Sequence, residues 1–169
     1  EVYRKIKEVL KQNHMTNSFS KFLFSFVNAK MIKDLGSEYV IVGHSERRQF
    51  FGETNQSVNQ KVKAALESGL VPIVCVGEML EDRESGRKKE VVTNQLVDGI
   101  DGLSKTDILR IIIAYEPVWA IGTGKTASPD QAQEVHSLIR SVIATSYSDQ
   151  IAESVRIQYG GSVNPSNAA

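Results

Sequence analysis

From Ile32 onward, short continuous apolar runs alternate with segments whose apolar residues recur at helical spacing, and few folds accept that pattern. Tyr39-Val40-Ile41-Val42 stops at Gly43, residues 70–76 stop at Gly77, and residues 155–159 stop at Gly160-Gly161. A fourth run, residues 111–114, leads into a glycine-rich stretch that reaches Thr126. Between the runs come Val58, Val62, Ala65 and Leu66, then Val91, Val92 and Leu96, then Val135, Leu138, Ile139, Val142 and Ile143. Ser128 is placed to cap the last of these helices, with Pro129 in its first position and Gln131 completing a capping box. Continuous apolar runs predict strands buried on both faces, and the helices between them supply parallel crossovers. The expected class is α/β with a parallel sheet.

Composition excludes several alternatives. Twenty basic residues balance twenty acidic ones, which removes the general argument for binding nucleic acid or an anionic membrane. The single cysteine, Cys75, excludes an internal disulfide framework and a cysteine-based zinc site. No apolar run approaches the roughly 20 residues of a membrane span. The charge is unevenly spread: residues 1–30 hold six basic side chains against Glu1 and Glu8. Val2, Ile6, Val9 and Leu10 outline one face of a short basic helix, and an apolar run follows at residues 22–27. We treat residues 1–28 as a segment apart from a domain over 29–169. Three readings fit it: a helix and strand packed on the rest or an unrelated extension, a secretory signal opening at Met15 with a short apolar region, or a helix for a partner or membrane surface.

Polar residues gather at the strand ends. His44, Glu78, Glu116 and Tyr159-Gly160-Gly161-Ser162 each lie at or just beyond the carboxyl end of a predicted strand, where parallel α/β folds carry their active sites. Taken singly, a histidine there is more often structural, and Glu78 reads as a cap or ion-pair partner. The stretch Glu116-Pro117-Val118-Trp119-Ala120-Ile121-Gly122-Thr123-Gly124-Lys125-Thr126-Ala127 is the most specific. It is not a phosphate-binding P-loop, because Trp119 stands where the first glycine belongs and the helix starts later, at Ser128-Pro129. Pro117 stiffens one end, the glycines free the other, and Trp119 and Ile121 supply apolar surface; that design is a lid, spanning Pro117 to Ala127.

These segments carry a family resemblance. Residues 29–36, residues 39–48 with Gly-His-Ser-Glu-Arg-Arg, residues 74–78, residues 114–127 and residues 159–163 resemble the triosephosphate isomerase family in order and spacing, from about Ala29 to the last residue. The resemblance implies a (β/α)8 TIM barrel and cofactor-free interconversion of dihydroxyacetone phosphate and glyceraldehyde 3-phosphate. It makes Glu116 the base that moves a proton between neighbouring carbons, its basicity raised as the lid strips water from it. His44 becomes a neutral hydrogen-bond donor to the carbonyl oxygens. Ser45 and Glu46 take supporting places, Ser45 holding the glutamate when the lid is open. Gly122 and Ser162 present backbone N–H groups to the substrate phosphate. Cys75 is then a small core residue. The implied partner is a small phosphorylated triose, with no nucleic acid or membrane, in the cytoplasm.

The sequence departs from the family pattern at its two ends. No Asn-Trp-Lys-Met-Asn-like run and no Thr-Gly-Glu turn occur in residues 1–28, and the second Gly-Gly turn of the phosphate site is absent before Ala169. Four predicted strands, or five with residues 22–27, fall short of eight, so an incomplete barrel is expected. The family's homodimer loop is likewise not recognisable. The competing reading is an inactive fragment or interaction form of the same family. A different phosphate-sugar barrel enzyme fits the lid less well.

Overall fold

The computed structural model describes residues 28–121, 123, 126–161 and 163. The basic helix read near Val2–Leu10 and the apolar run at 22–27 lie outside them. The described chain starts with helix α1 (Ala29–Asp34), strand β1 (Tyr39–Val42), and helices α2 (Ser45–Phe50) and α3 (Asn55–Glu67). Strand β2 (Val71–Val76) is followed by α4 (Leu80–Glu84), α5 (Lys88–Ile100) and α6 (Lys105–Ile108). Strand β3 (Ile112–Tyr115) then leads through a 3-10 turn (Val118–Ala120) to α7 (Pro129–Ser146), α8 (Asp149–Ser154) and strand β4 (Arg156–Tyr159).

All three strand pairings are parallel, and the strand order is β1-β2-β3-β4. An open doubly wound sheet reverses its order at a switch point. Here sequence order and spatial order agree, and α3 packs on α5 while α5 packs on α7. The described residues therefore wind in one direction with one layer of crossover helices, as in part of a (β/α) barrel. The expected parallel α/β class holds.

The core lies between that helical layer and one face of the sheet. Val58, Val62 and Leu66 from α3, Val92 and Leu96 from α5, and Val135, Ile139 and Ile143 from α7 meet Val74, Val76, Ile113 and Tyr115. Local chemistry starts the helices where the sequence requires. The Ser128 hydroxyl accepts from Gln131 N–H, the Gln131 side chain accepts from Ser128 N–H, and Pro129 fills the first helical position. Thr54 and Ser57 form the same reciprocal cap on α3.

Two expectations need correction. Burial on both faces holds for β3, all of whose residues are buried, but not for the edge strands of the described sheet, β1 and β4. Tyr39 and Ile41 of β1 are 50% and 57% exposed, because helices cover one face and β2 flanks one side. Strand starts also shift by one residue. Leu70, Ile111 and Val155 are buried yet precede the ladder; Leu70 N–H donates to Ala65 C=O and Val155 N–H to Ile151 C=O, each closing off the preceding helix. Apolar burial and strand pairing are different requirements, and the sequence pattern reports the first.

Ile139 is completely buried in this core. Ile139→Ala is expected to lower unfolding free energy by about 2–5 kcal/mol, read as a shifted urea midpoint at unchanged slope.

Candidate active site

His44, Glu78, Glu116 and Tyr159 all stand on the carboxyl side of the sheet. Gly43 ends β1 with φ of +75°, a left-handed turn that suits glycine, and an added Cβ there would press on Cys75 C=O at 3.1 Å. Two buried or half-buried side chains grip this turn. Glu53 accepts from Gly43 N–H at 2.9 Å, and Arg48 Nε donates to Gly43 C=O at 2.7 Å. The next residue is His44.

His44 caps α2: its Nδ1 accepts from Glu46 N–H at 3.3 Å. A ring nitrogen that accepts carries no proton, so the neutral ring holds its hydrogen on Nε2. Nε2 lies 2.7 Å from Glu116 Oε1, so His44 donates to the carboxylate. The other carboxylate oxygen, Oε2, accepts from Ser45 N–H at 3.0 Å. Glu116 is only 4% exposed, and both its oxygens are satisfied from the α2 start. Ser45 acts here through its backbone rather than its hydroxyl, and Glu46 contributes its N–H to the histidine.

Glu116 follows β3 directly, and its own N–H donates to Val76 C=O at 2.8 Å. This extension of the ladder brings its backbone against Gly77, where an added Cβ would lie 1.7 Å from the Glu116 carbonyl oxygen. Gly77 has no substitute at that position. Glu78 is fully buried, and three donors meet on its Oε1: Arg83 Nη1 at 2.9 Å, Tyr115 Oη at 3.1 Å and Trp119 Nε1 at 3.0 Å. The Arg83 guanidinium also covers the Trp119 ring, 4.9 Å from its centre. Glu78 is thus an ion-pair partner, as its sequence position indicated, and it anchors the tryptophan. Burial, followed by the adjacent Glu78 charge, pushes the Tyr115 phenol well above its usual range.

The segment beyond Glu116 makes two further attachments. Val118 N–H donates to Glu78 C=O at 3.2 Å, and Ala120 is fully buried in the 3-10 turn. Farther along, Ala127 N–H donates to Tyr159 Oη at 3.3 Å. Pro117, Ile121, Thr123 and Thr126 lie along this path, whereas Gly122, Gly124, Lys125 and Ser162 lie outside the described residues. Cys75 is buried beside the site; burial, reinforced by the Glu116 charge, pushes its thiol up to about 12, so the thiolate is scarce at neutral pH.

Sequence reasoning overlooked the residues that hold this arrangement. Glu53 is one: its carboxylate pairs with Arg47 at 3.2 Å and with Lys61 as well as with Gly43. Glu53 lies ten residues from the glycine it holds, and no periodicity links the two. Gln95 and Tyr115 were also missed, since each sits at an apolar or unremarkable position of its element.

A half-buried histidine paired with a buried carboxylate thus stands at the carboxyl ends of parallel strands, the end at which β/α barrels carry their sites. A family model described as triosephosphate isomerase matches residues 8–169, and the chain belongs to the triosephosphate isomerase family. It is 61% identical over 142 residues to the triosephosphate isomerase of Prosthecochloris aestuarii, covering 84% of this chain and 56% of that protein. The enzyme of Citrifermentans bemidjiense is 58% identical over 141 residues, with coverage of 83% and 56%. That of Fusobacterium nucleatum is 56% identical over 142 residues, with coverage of 84% and 57%. The chain therefore spans a little over half the length of these curated relatives. Among the described residues, no helix is long and apolar enough to cross a membrane.

The Glu53 cluster gives an acid-stability prediction. Burial by itself raises the Glu53 carboxyl, but Lys61 and Arg47 outweigh it and hold the group below its ordinary range. Its contribution is fully present above the unfolded-chain value of about 4.3 and is lost as pH falls through the lower folded value. Chemical denaturation across pH 3–7 should show Glu53→Gln less stable than the parent near neutrality, with the gap narrowing in acid; a gap independent of pH would contradict this.

Proposed function

We propose that this chain supplies the acid–base centre of a triose phosphate isomerase, interconverting dihydroxyacetone phosphate and glyceraldehyde 3-phosphate. The observation that carries the reading is the His44–Glu116 pair: a carboxylate at 2.7 Å from a ring nitrogen whose other nitrogen accepts a backbone hydrogen bond. Such a ring donates a hydrogen bond while uncharged, and the carboxylate beside it takes and returns protons. The relatives' names support the isomerase over the inactive interaction form.

In the proposed cycle, substrate displaces Glu116 from both of its present donors. Glu116 removes a proton from the carbon bearing the hydroxyl, and the bonding electrons form the enediolate carbon–carbon double bond. The negative charge that develops on the carbonyl oxygen is stabilised by His44 Nε2–H. Exchange of the hydroxyl proton between the two oxygens then lets Glu116 return its proton to the neighbouring carbon. No electron leaves the substrate, and no cofactor is needed.

The lid reading, Pro117 to Ala127, draws support from its attachments: Trp119 to Glu78 near one end and Ala127 to Tyr159 at the other. Closure over the substrate would exclude water and keep the enediolate from expelling its phosphate. Gly122 and Ser162 would contact that phosphate through backbone N–H groups. The cytoplasm is the proposed location, as suits an enzyme of glycolysis and gluconeogenesis, and the family's homodimer is the proposed assembly for the whole protein.

Steady-state conversion of dihydroxyacetone phosphate, coupled to reduction of the aldose product or its onward oxidation, tests the reading. Glu116→Gln should lower kcat by about 10²–10⁴-fold, the range for removing a positioned general base. Equal rates in the parent and the variant would remove Glu116 from the reaction.

A further inference from the structure

Gly77 is the point where the β2 end meets the Glu116 backbone, and its own two backbone groups face the other way. Along β2 the peptide groups alternate: Val76 C=O and Glu78 C=O accept from Glu116 N–H and Val118 N–H on the β3 side. Cys75 C=O and the groups of Gly77 then face the β1 side. There β1 has already ended at Val42, and the chain turns away at Gly43. Cys75 C=O lies 3.5 Å from Arg48 Nη2. Gly77, being buried, needs other partners for a donor and an acceptor.

Gln95, half-buried on α5, supplies both. Its Oε1 accepts from Gly77 N–H at 2.8 Å, and its Nε2 donates to Gly77 C=O at 3.1 Å. A carboxamide presents one acceptor and one donor side by side, as a neighbouring strand would. Moving Gly77 would move the surface on which the Glu116 backbone rests, because that contact has no slack.

We infer that Gln95 is a positioning residue for Glu116: it stands in for the missing strand beside Gly77 and thereby fixes the height and direction of the carboxylate relative to His44. Gln95 touches neither His44 nor the expected substrate position; its effect passes through Gly77 and the Glu116 main chain. The kinetic part of this inference rests on the isomerase reading above, while the structural part, coupling of Gln95 to Glu116, does not.

The test compares the full-length protein with Gln95→Met, which keeps the length of the side chain and loses both hydrogen bonds. Backbone amide exchange is followed by NMR alongside steady-state kinetics. Gly77 and Glu116 amides should exchange about tenfold faster or more, while the Ile139 amide in α7 is unaffected, which separates local release from global destabilisation. With dihydroxyacetone phosphate as substrate, kcat should fall about tenfold or more with KM within about twofold, as for loss of transition-state alignment. Faster exchange at Gly77 alone, with Glu116 exchange and kcat unchanged, would overturn the inference and leave Gln95 as a strand cap. Should Gln95→Met not fold, Gln95→Glu, which retains the acceptor for Gly77 N–H, is read by the same amides. If the parent protein has no isomerase activity, the isomerase reading fails, and Glu116 amide exchange decides the role of Gln95.

Discussion

The close approach of the Glu116 main chain to Gly77 is the constraint on which this end of the molecule depends. His44 follows β1 and Glu116 follows β3, so the pair must meet across the end of β2, the strand between them. The parallel ladder sets the ends of the three strands at related heights: Val42 opposes Val74, and Tyr115 opposes Val76. A side chain on Gly77 would collide with the Glu116 carbonyl and push the carboxylate off the histidine. The absence of one Cβ thus permits the contact, and the sheet register sets where it occurs.

Three carboxylates, Glu53, Glu78 and Glu116, are buried at this end of the sheet. Burying charge is costly unless donors compensate for the lost water. Glu53 has Gly43 N–H, Arg47 and Lys61; Glu78 has Arg83, Tyr115 and Trp119; Glu116 has His44 and Ser45. The first two sets contain fixed cations, and their members hold the turn before His44 and the tryptophan after Glu116. The third contains a neutral ring and one amide, donors from which a carboxylate can depart. That contrast separates two carboxylates that organise the scaffold from one that is free to change partners.

Much of the architecture was legible because burial leaves periodic marks. The residues of β1, the apolar faces of α3, α5 and α7, and the Ser128-Pro129-Gln131 start of α7 follow directly from the sequence. The positions of His44 and Glu116 at strand ends were legible for the same reason, and their proximity follows from the register. What escaped was the chemistry of single long-range bonds. Gln95 lies eighteen residues from Gly77 and Glu53 ten from Gly43, and neither pairing has a period or a motif. Tyr115 read as a residue beyond the apolar run, whereas it is the last residue of β3 with its hydroxyl buried on Glu78. Edge exposure was also hidden: Tyr39 and Ile41 have strand-core character in sequence, and only the order of the described strands places them on an edge of the described sheet.

The central claim, that Glu116 carries a proton between two carbons through an enediolate, is tested most directly by the fate of that proton. Dihydroxyacetone phosphate would be incubated with the protein in deuterium oxide and the products followed by NMR. A carboxylate base exchanges its captured proton with solvent, so glyceraldehyde 3-phosphate should acquire deuterium at the carbon next to the aldehyde. The Glu116→Gln protein should form product and label recovered substrate more slowly by the same factor of about 10²–10⁴. Product formed without any deuterium, or labelling by the variant at the parent's rate, would contradict the account.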